Sequence, residues 1–247
     1  MGIRAMKDAV ALVTGASSDI GRAIALRLAS AGAQVMALGR DRRKLAEVAA
    51  ADTGRIQPLV ADLTLGADIA SVRSLLDQRG RLDILVLGSG IYERSTDPEV
   101  FARQFASNVQ GPYTLLQALL PLLSTAKGLV IFLNSTQGLS ASPGVGQYAA
   151  TQHAMRALAD SLRQEVKGIR VSSLFLGRTA SARQEAIFAL ERRTYMPELL
   201  LQPADIAALV VILTQLADTA EITEIKIRPR LNSYGNADPG GSPHSAM

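Results

Sequence analysis

Apolar runs alternate with stretches of helical spacing along this chain, and the alternation limits its folds more than any single residue does. The runs lie at residues 10–14, 34–38, 55–61, 83–87, 128–133, 169–175 and 222–227. Helical spacing fills 20–28, 41–50 (Asp41 as cap), 67–78, 97–123 and 146–166, and shorter helices at 181–193 and 203–216 precede the last run. In the first helix Ile20, Ala23, Ile24 and Leu28 recur on one face. The pattern predicts an α/β fold in which right-handed crossovers place helices on both faces of a doubly wound parallel sheet. Continuous apolar strands such as Ile84-Leu85-Val86-Leu87 suit a sheet covered on both sides. Residues 1–231 are expected to form one domain, and the Gly-, Ser- and Pro-rich stretch 232–247 reads as a mobile tail.

Composition removes several function classes. Hydrophobic residues make up 48% of the chain and charged residues 19%, which favours a folded protein over a disordered one. With no cysteine, a disulfide framework, a cysteine nucleophile and a cysteine zinc site are excluded. Residues 1–8 carry charges where a signal peptide needs an apolar run, and the apolar stretch 206–217 is too short to span a bilayer. A soluble, cytoplasmic protein without a metal is therefore expected. The net charge of +4 is small, and the local cluster Arg40, Arg42, Arg43 and Lys44 lacks the broad basic face with aromatics that nucleic-acid binding requires.

The turn Thr14-Gly15-Ala16-Ser17-Ser18-Asp19-Ile20-Gly21 lies between the first strand and the first helix. In that context Gly15 permits a tight turn and Gly21 close helix–strand packing, while the helix N-terminus offers free N–H groups to a pyrophosphate. Asp19 stands where a middle glycine is expected; its carboxylate suits an N-cap and is expected to face solvent or backbone N–H groups, leaving phosphate to main chain and Ser17. At the end of the second strand, Arg40 favours a 2′-phosphate, hence NADP over NAD, with Arg42 or Arg43 as helpers. Asp62, after the third strand, is placed either to meet the adenine end or to cap a helix.

Ser135 follows the fifth strand, Tyr148 opens a helix thirteen positions later, and Asn108 lies within the long helix. With the glycine turn, Asp62, Leu82-Asp83-Ile84-Leu85-Val86 and Gly177, these residues resemble the classical short-chain dehydrogenase/reductase family over about residues 9–228. The resemblance implies a Rossmann-type fold and an NADP(H)-dependent interconversion of carbonyl and hydroxyl groups. It gives Tyr148 the role of general acid or base, Ser135 that of orienting the substrate oxygen, and Asn108 that of supporting a water relay. Ile20, Leu63, Gly90 and Thr179 fall along the cofactor, with Thr179 at the carboxamide. The segment 177–201 takes the place of a substrate lid, and the helices at 97–123 and 146–166 take that of homodimer or homotetramer contacts.

The family's lysine, four residues after the tyrosine, holds the nicotinamide ribose and lowers the tyrosine pKa; here that position is Gln152. Helical spacing puts Tyr148 and Gln152 on one face, toward one ligand. An amide can still hydrogen-bond a ribose hydroxyl, but it carries no charge. Loss of a neighbouring cation handicaps alcohol oxidation, which needs a tyrosinate, more than carbonyl reduction, which needs only a phenol. A bias toward reduction follows. Leu87 and Asp19 are further departures, and the alternative is a catalytically impaired dinucleotide-binding protein of the same fold. Phe188, Leu190, Tyr195, Met196, Leu199 and Leu200, interspersed with Arg178, Arg183, Arg192 and Arg193, read either as core or interface or as a mostly apolar pocket for a small carbonyl substrate with an arginine for an acidic group. His153 reads as a helix-surface residue rather than a base.

Overall fold

The computed structural model describes residues 6–230, so the predicted tail at 232–247 lies outside the described residues. Strands β1 (Val10–Thr14), β2 (Gln34–Gly39), β3 (Ile56–Val60), β4 (Ile84–Leu87), β5 (Leu129–Ser135), β6 (Arg170–Leu176) and β7 (Glu224–Ile227) form one sheet in the order β3-β2-β1-β4-β5-β6-β7. Every neighbouring pair is parallel. The chain starts in the middle of the sheet, winds outward to β3, then returns to lay β4 beside β1. That reversal opens a crevice at the carboxyl ends of β1 and β4, where doubly wound sheets bind their ligands.

Both faces are packed because the central strands carry apolar side chains on both of their sides. Side chains alternate across a strand, so Ala11 and Val13 of β1 meet α1 (Asp19–Ser30), α2 (Arg42–Ala50) and α8 (Pro203–Gln215) through Ile24, Leu45 and Ile206. Val10 and Leu12 face the opposite layer of α3 (Gly66–Arg79), α5 (Gly111–Ala126) and α6 (Gly146–Glu165), contributed by Val72, Leu115 and Ala159. Strand β7 alternates exposed and half-buried residues, as an edge strand does.

The helix predicted over 97–123 is interrupted. It begins as α4 (Pro98–Phe105), widens into a π turn over Ala106–Gln110 and resumes as α5. Pro112 has no N–H to give the carbonyl of Asn108 four residues back, and the N–H of Gly111 reaches the Ala106 carbonyl instead. Gly111 also admits a close neighbour: a Cβ there would lie 2.5 Å from the Leu63 carbonyl oxygen. Such insertions recur at functional sites, and this one carries Asn108 against Gly90 and Ile91.

At the opposite end of the strands, buried Asp83 ties three of them together. Its Oδ2 accepts the Val10 N–H at 2.9 Å, its own N–H donates to the Val10 carbonyl at 2.9 Å, and its carbonyl accepts the Leu129 N–H at 2.8 Å. Arg81 closes the arrangement with bonds of 2.9 and 2.6 Å to the two carboxylate oxygens. Asp83→Ala leaves the buried Val10 N–H unpaired and is expected to cost about 1–3 kcal/mol. Urea unfolding of the variant beside the wild type measures that loss as a lower midpoint.

Candidate active site

The crevice is a cleft of about 1200 Å³ that runs from the end of β2 across β1 and β4 to the lid segment. Its phosphate end is set by two close approaches. Buried Thr14 accepts the N–H groups of Gly88 and Ser89 at 2.9 and 3.1 Å, which joins the ends of β1 and β4. Gly15 has a φ of 73°, and a Cβ on it would lie 2.6 Å from the Gly88 carbonyl oxygen, so only glycine fits this turn. A Cβ on Gly21 would meet the Gly15 carbonyl oxygen at 2.2 Å; its contribution is packing, and it does not line the cleft.

The N-cap of α1 is Ser18, not Asp19. The Ser18 hydroxyl accepts the Gly21 N–H at 3.3 Å and donates to the Gly15 carbonyl at 2.7 Å. Asp19 is already the first helical residue, and its Oδ2 accepts the N–H of Ala182 at 2.9 Å. Ala182 opens the lid helix α7 (Ala182–Leu190), where free N–H groups favour a carboxylate. The residue that departs from the glycine pattern therefore anchors the lid.

At the adenosine end, Arg40 and Lys44 line the cleft, while Arg42 and Arg43 do not. Arg43 instead pairs with Glu47 at 3.5 Å on the surface of α2. Arg40 lies 3.8 Å from Asp62 and keeps 63% of its side chain exposed, a loose pairing that leaves the guanidinium accessible. Burial tends to raise the pKa of Asp62, but bonds from the Thr64 N–H and hydroxyl at 2.9 and 2.8 Å, with the charge of Arg40, bring it below the usual carboxylate value.

At the centre, Ser135 ends β5 and Tyr148 lies in the first turn of α6. Asn134 fixes one against the other: its Oδ1 accepts the Ser135 N–H at 2.7 Å, and its Nδ2 donates to the Gln152 carbonyl at 3.0 Å. Tyr92, from the loop after β4, packs edge-on against the Tyr148 ring at 5.0 Å. Burial pushes the Tyr148 phenol above its ordinary pKa. The charge of Arg183 and a hydrogen bond with the Ser135 hydroxyl pull it partly back, while Tyr92 adds to the rise.

Gln152 and Asn108 lie behind this wall and do not line the cleft. The Gln152 amide donates to the Thr151 hydroxyl at 3.2 Å, as does Asn108 Nδ2 at 3.2 Å; Thr151 in turn donates to the Tyr148 carbonyl at 2.7 Å. Asn108 is further held by the N–H and carbonyl of Ile91 at 2.7 and 2.9 Å. A neutral amide can be satisfied by an internal hydroxyl, whereas a buried ammonium demands water or a counter-charge. In this geometry the Gln152 amide is engaged by Thr151 and not turned into the cleft.

The lid is pinned at both ends. Besides the Asp19 contact, Arg183 donates to the Gly90 carbonyl across the cleft. Glu191 receives Arg94 at 2.8 Å and Arg178 at 2.8 Å. Thr179 lines the cleft and donates to the Gly177 carbonyl at 3.1 Å. The apolar residues expected to face a substrate do not line the cleft: Phe188 and Leu200 are core, and Leu190 and Met196 are exposed. Ile187, Val145 and Tyr92 face it instead, among Arg94, Arg178, Arg183 and Glu191. The lining is mixed rather than mostly apolar.

Residues 9–191 match the family model described as short chain dehydrogenase. The chain is a short-chain dehydrogenase/reductase. An uncharacterised short-chain type dehydrogenase/reductase from Sinorhizobium fredii is 32% identical over 240 residues, covering 92% of this chain and 94% of that protein. Among solved structures, an alcohol dehydrogenase from Thermococcus sibiricus complexed with 5-hydroxy-NADP superposes with a TM-score of 0.80 at 25% identity, covering 91% of this chain and 97% of its own. A 3-ketoacyl-(acyl-carrier-protein) reductase from Brucella melitensis complexed with NADH gives 0.78 at 26% identity, covering 90% and 98%.

This short-chain dehydrogenase/reductase is accordingly an oxidoreductase served by a nicotinamide dinucleotide. Of the residues singled out from its sequence, Gly15, Ser17, Ile20, Arg40, Asp62, Leu63, Gly90, Ser135, Tyr148 and Thr179 converge on one cleft. Tyr92 and Arg94 were missed, because they lie in a loop where no periodicity marks them, whereas Arg183 was among the lid arginines read as a place for an acidic group. Lys44 was visible as part of the basic cluster; it, Arg42 and Arg43 all lie in the first turn of α2, and of these three Lys44 lines the cleft. Among the described residues no helix is long and apolar enough to cross a membrane, and no group of three or more His, Cys, Asp or Glu is placed to hold a metal.

Proposed function

We propose that the enzyme uses NADP(H) in preference to NAD(H) and interconverts a carbonyl and a hydroxyl group, with reduction the favoured direction. The observation that carries the reading is the pairing of Ser135 and Tyr148 on the cleft wall, with Arg40 and Lys44 at the cleft's far end. The residues fit a dinucleotide: main chain at Gly15 to Ile20 and Ser17 for the pyrophosphate, Arg40 and Lys44 for a 2′-phosphate, Asp62 and Leu63 for the adenosine, and Gly90 and Thr179 toward the nicotinamide.

When bound, the nicotinamide supplies a hydride, with its two electrons, to the carbonyl carbon. The chain's own residues handle the oxygen. The Ser135 hydroxyl holds it by a hydrogen bond, and Tyr148 gives up its Oη proton to it as the carbonyl becomes an alcohol. Proton transfer in reverse needs a phenolate. Because burial raises the Tyr148 pKa above the phenol value, the acid form predominates throughout the neutral range and the base form is scarce. Reduction is therefore expected to vary little between pH 6 and about 8, and oxidation to climb as pH rises toward the tyrosine's range. Turnover of a panel of ketones and aldehydes with NADPH, and of the matching alcohols with NADP, across pH checks this. Efficient oxidation at neutral pH would refute the direction assigned.

A specific observation favours a second reading. Gln152 leaves the cleft without the charge that the family's lysine supplies, as a dinucleotide-binding protein without turnover would. NADPH binding followed by fluorescence, with no conversion anywhere in the panel, would establish that alternative.

A further inference from the structure

Among the described residues, Tyr148 is faced from its own helix, from β5, from the loop after β4 and from the lid. Its own helix α6 contributes Gln152, whose amide is spent on Thr151. Strand β5 contributes the neutral Ser135. The loop after β4 contributes Tyr92, whose hydroxyl accepts the Arg94 Nε at 2.8 Å, and Arg94 is countered by Glu191 at 2.8 Å. Glu191 also holds Arg178 at 2.8 Å and lies 3.9 Å from Arg193, so these three arginines are gathered on one carboxylate. The remaining group is Arg183, on the second residue of α7. It reaches over the cleft to donate to the Gly90 carbonyl, two residues before Tyr92, whose ring packs on that of Tyr148 at 5.0 Å. Among the described residues no carboxylate lies within ion-pairing distance of Arg183; the Asp19 carboxylate beside it is engaged by the N–H of Ala182.

We propose that Arg183 supplies, from the lid, the positive charge beside Tyr148 that Gln152 does not supply from α6. Arg183 acts through the tyrosine and is a positioning residue. The charge sits on the element that covers the substrate, not on the scaffold, so formation of the phenolate, and with it alcohol oxidation, depends on α7 being lowered. This rests on Tyr148 being the proton donor. The electrostatics agree with the geometry, since Arg183 is the cation that draws the phenol's pKa down against its burial.

The test compares wild type, Arg183→Gln, Arg183→Lys and Arg183→Gln combined with Gln152→Lys. The phenolate transition of Tyr148 is read by ultraviolet difference titration, with Tyr148→Phe as the blank, and the pH profile of alcohol oxidation is recorded beside it. Arg183→Gln is expected to move the titration and the oxidation limb together to higher pH, lowering neutral-pH oxidation by roughly tenfold for each unit of movement. Carbonyl reduction should change little. Arg183→Lys should keep the wild-type profile, and Gln152→Lys should move the shifted profile back. An unchanged titration in Arg183→Gln overturns the role of Arg183. Full turnover in Tyr148→Phe would instead overturn the reading on which it rests, and the two failures are distinct. The titration decides the matter even where turnover is too slow to measure.

Discussion

Tyr148→Phe is expected to lower turnover by about 10²–10⁴-fold in both directions, the range typical of a positioned general acid or base. The substitution removes one oxygen and keeps the ring, so the edge-on packing against Tyr92 at 5.0 Å survives and folding should be unaffected. The loss belongs in kcat, because the proton moves only as the carbonyl oxygen gains charge. NADPH affinity should not change, since the phenol's assigned partner is the substrate oxygen. Ser135→Ala should act in the same sense, because the Ser135 hydroxyl both touches the phenol and is placed to hold the carbonyl oxygen. Steady-state kinetics with any ketone the wild type reduces, together with NADPH titration of the variant, measures both quantities. Retention of most of the wild-type kcat would mean that another group delivers the proton.

Arg40→Ala is expected to weaken NADPH binding by roughly ten- to hundredfold, as loss of about 1.5–3 kcal/mol in charged hydrogen bonds predicts. NADH lacks the 2′-phosphate and should lose little. Cofactor preference, rather than affinity alone, is therefore the diagnostic, read from fluorescence titrations with the two nucleotides. The wild-type guanidinium is loosely paired with Asp62 at 3.8 Å, so its removal should not disturb the Thr64 bonds that hold that carboxylate. Lys44→Ala should give a smaller effect of the same sign, because an ammonium cannot form the two-pronged contact of a guanidinium. Equal losses for NADPH and NADH would show that Arg40 meets a part common to both.

The layout of the fold was legible because the central strands are buried on both faces and so read as unbroken apolar runs. Strand boundaries drifted by a residue or two, as at β6, expected over 169–175 and found at Arg170–Leu176, and helix ends by up to three, as at α7, expected to end at 193 and ending at Leu190. The interruption of the long helix was not read, although its cause, Pro112, stands in plain view; a proline in the first turn of a new helix looks the same in sequence as one that widens an old helix. The site divides along a similar line. Gly15, Ser17, Arg40, Ser135 and Tyr148 could be expected on one cleft because each sits at a strand end or helix start, where backbone geometry determines which way the side chain faces. Gln152 and Asn108 were found as positions, but their orientation depends on Thr151 and Ile91, neighbours that come together only in three dimensions. The lid misled for a related reason. Its apolar residues follow the order of a helix stripe, but Phe188 packs on Tyr195 and beneath Arg178, leaving Ile187 and the arginines to face the cleft.

Asp19 and Ala182 are 163 positions apart and share a single hydrogen bond between the phosphate turn and the lid. The lid of this protein is thus not a free-standing module. Exchanging residues 177–201 for another sequence, as one would to broaden the range of substrates, alters the partner of a carboxylate lodged at the opposite end of the chain. A chimera that imports a new lid while keeping Asp19 inherits an anchor with no assured mooring, and one that restores glycine at position 19 while keeping the native lid cuts that mooring. The two positions form one inheritable unit and are best exchanged together.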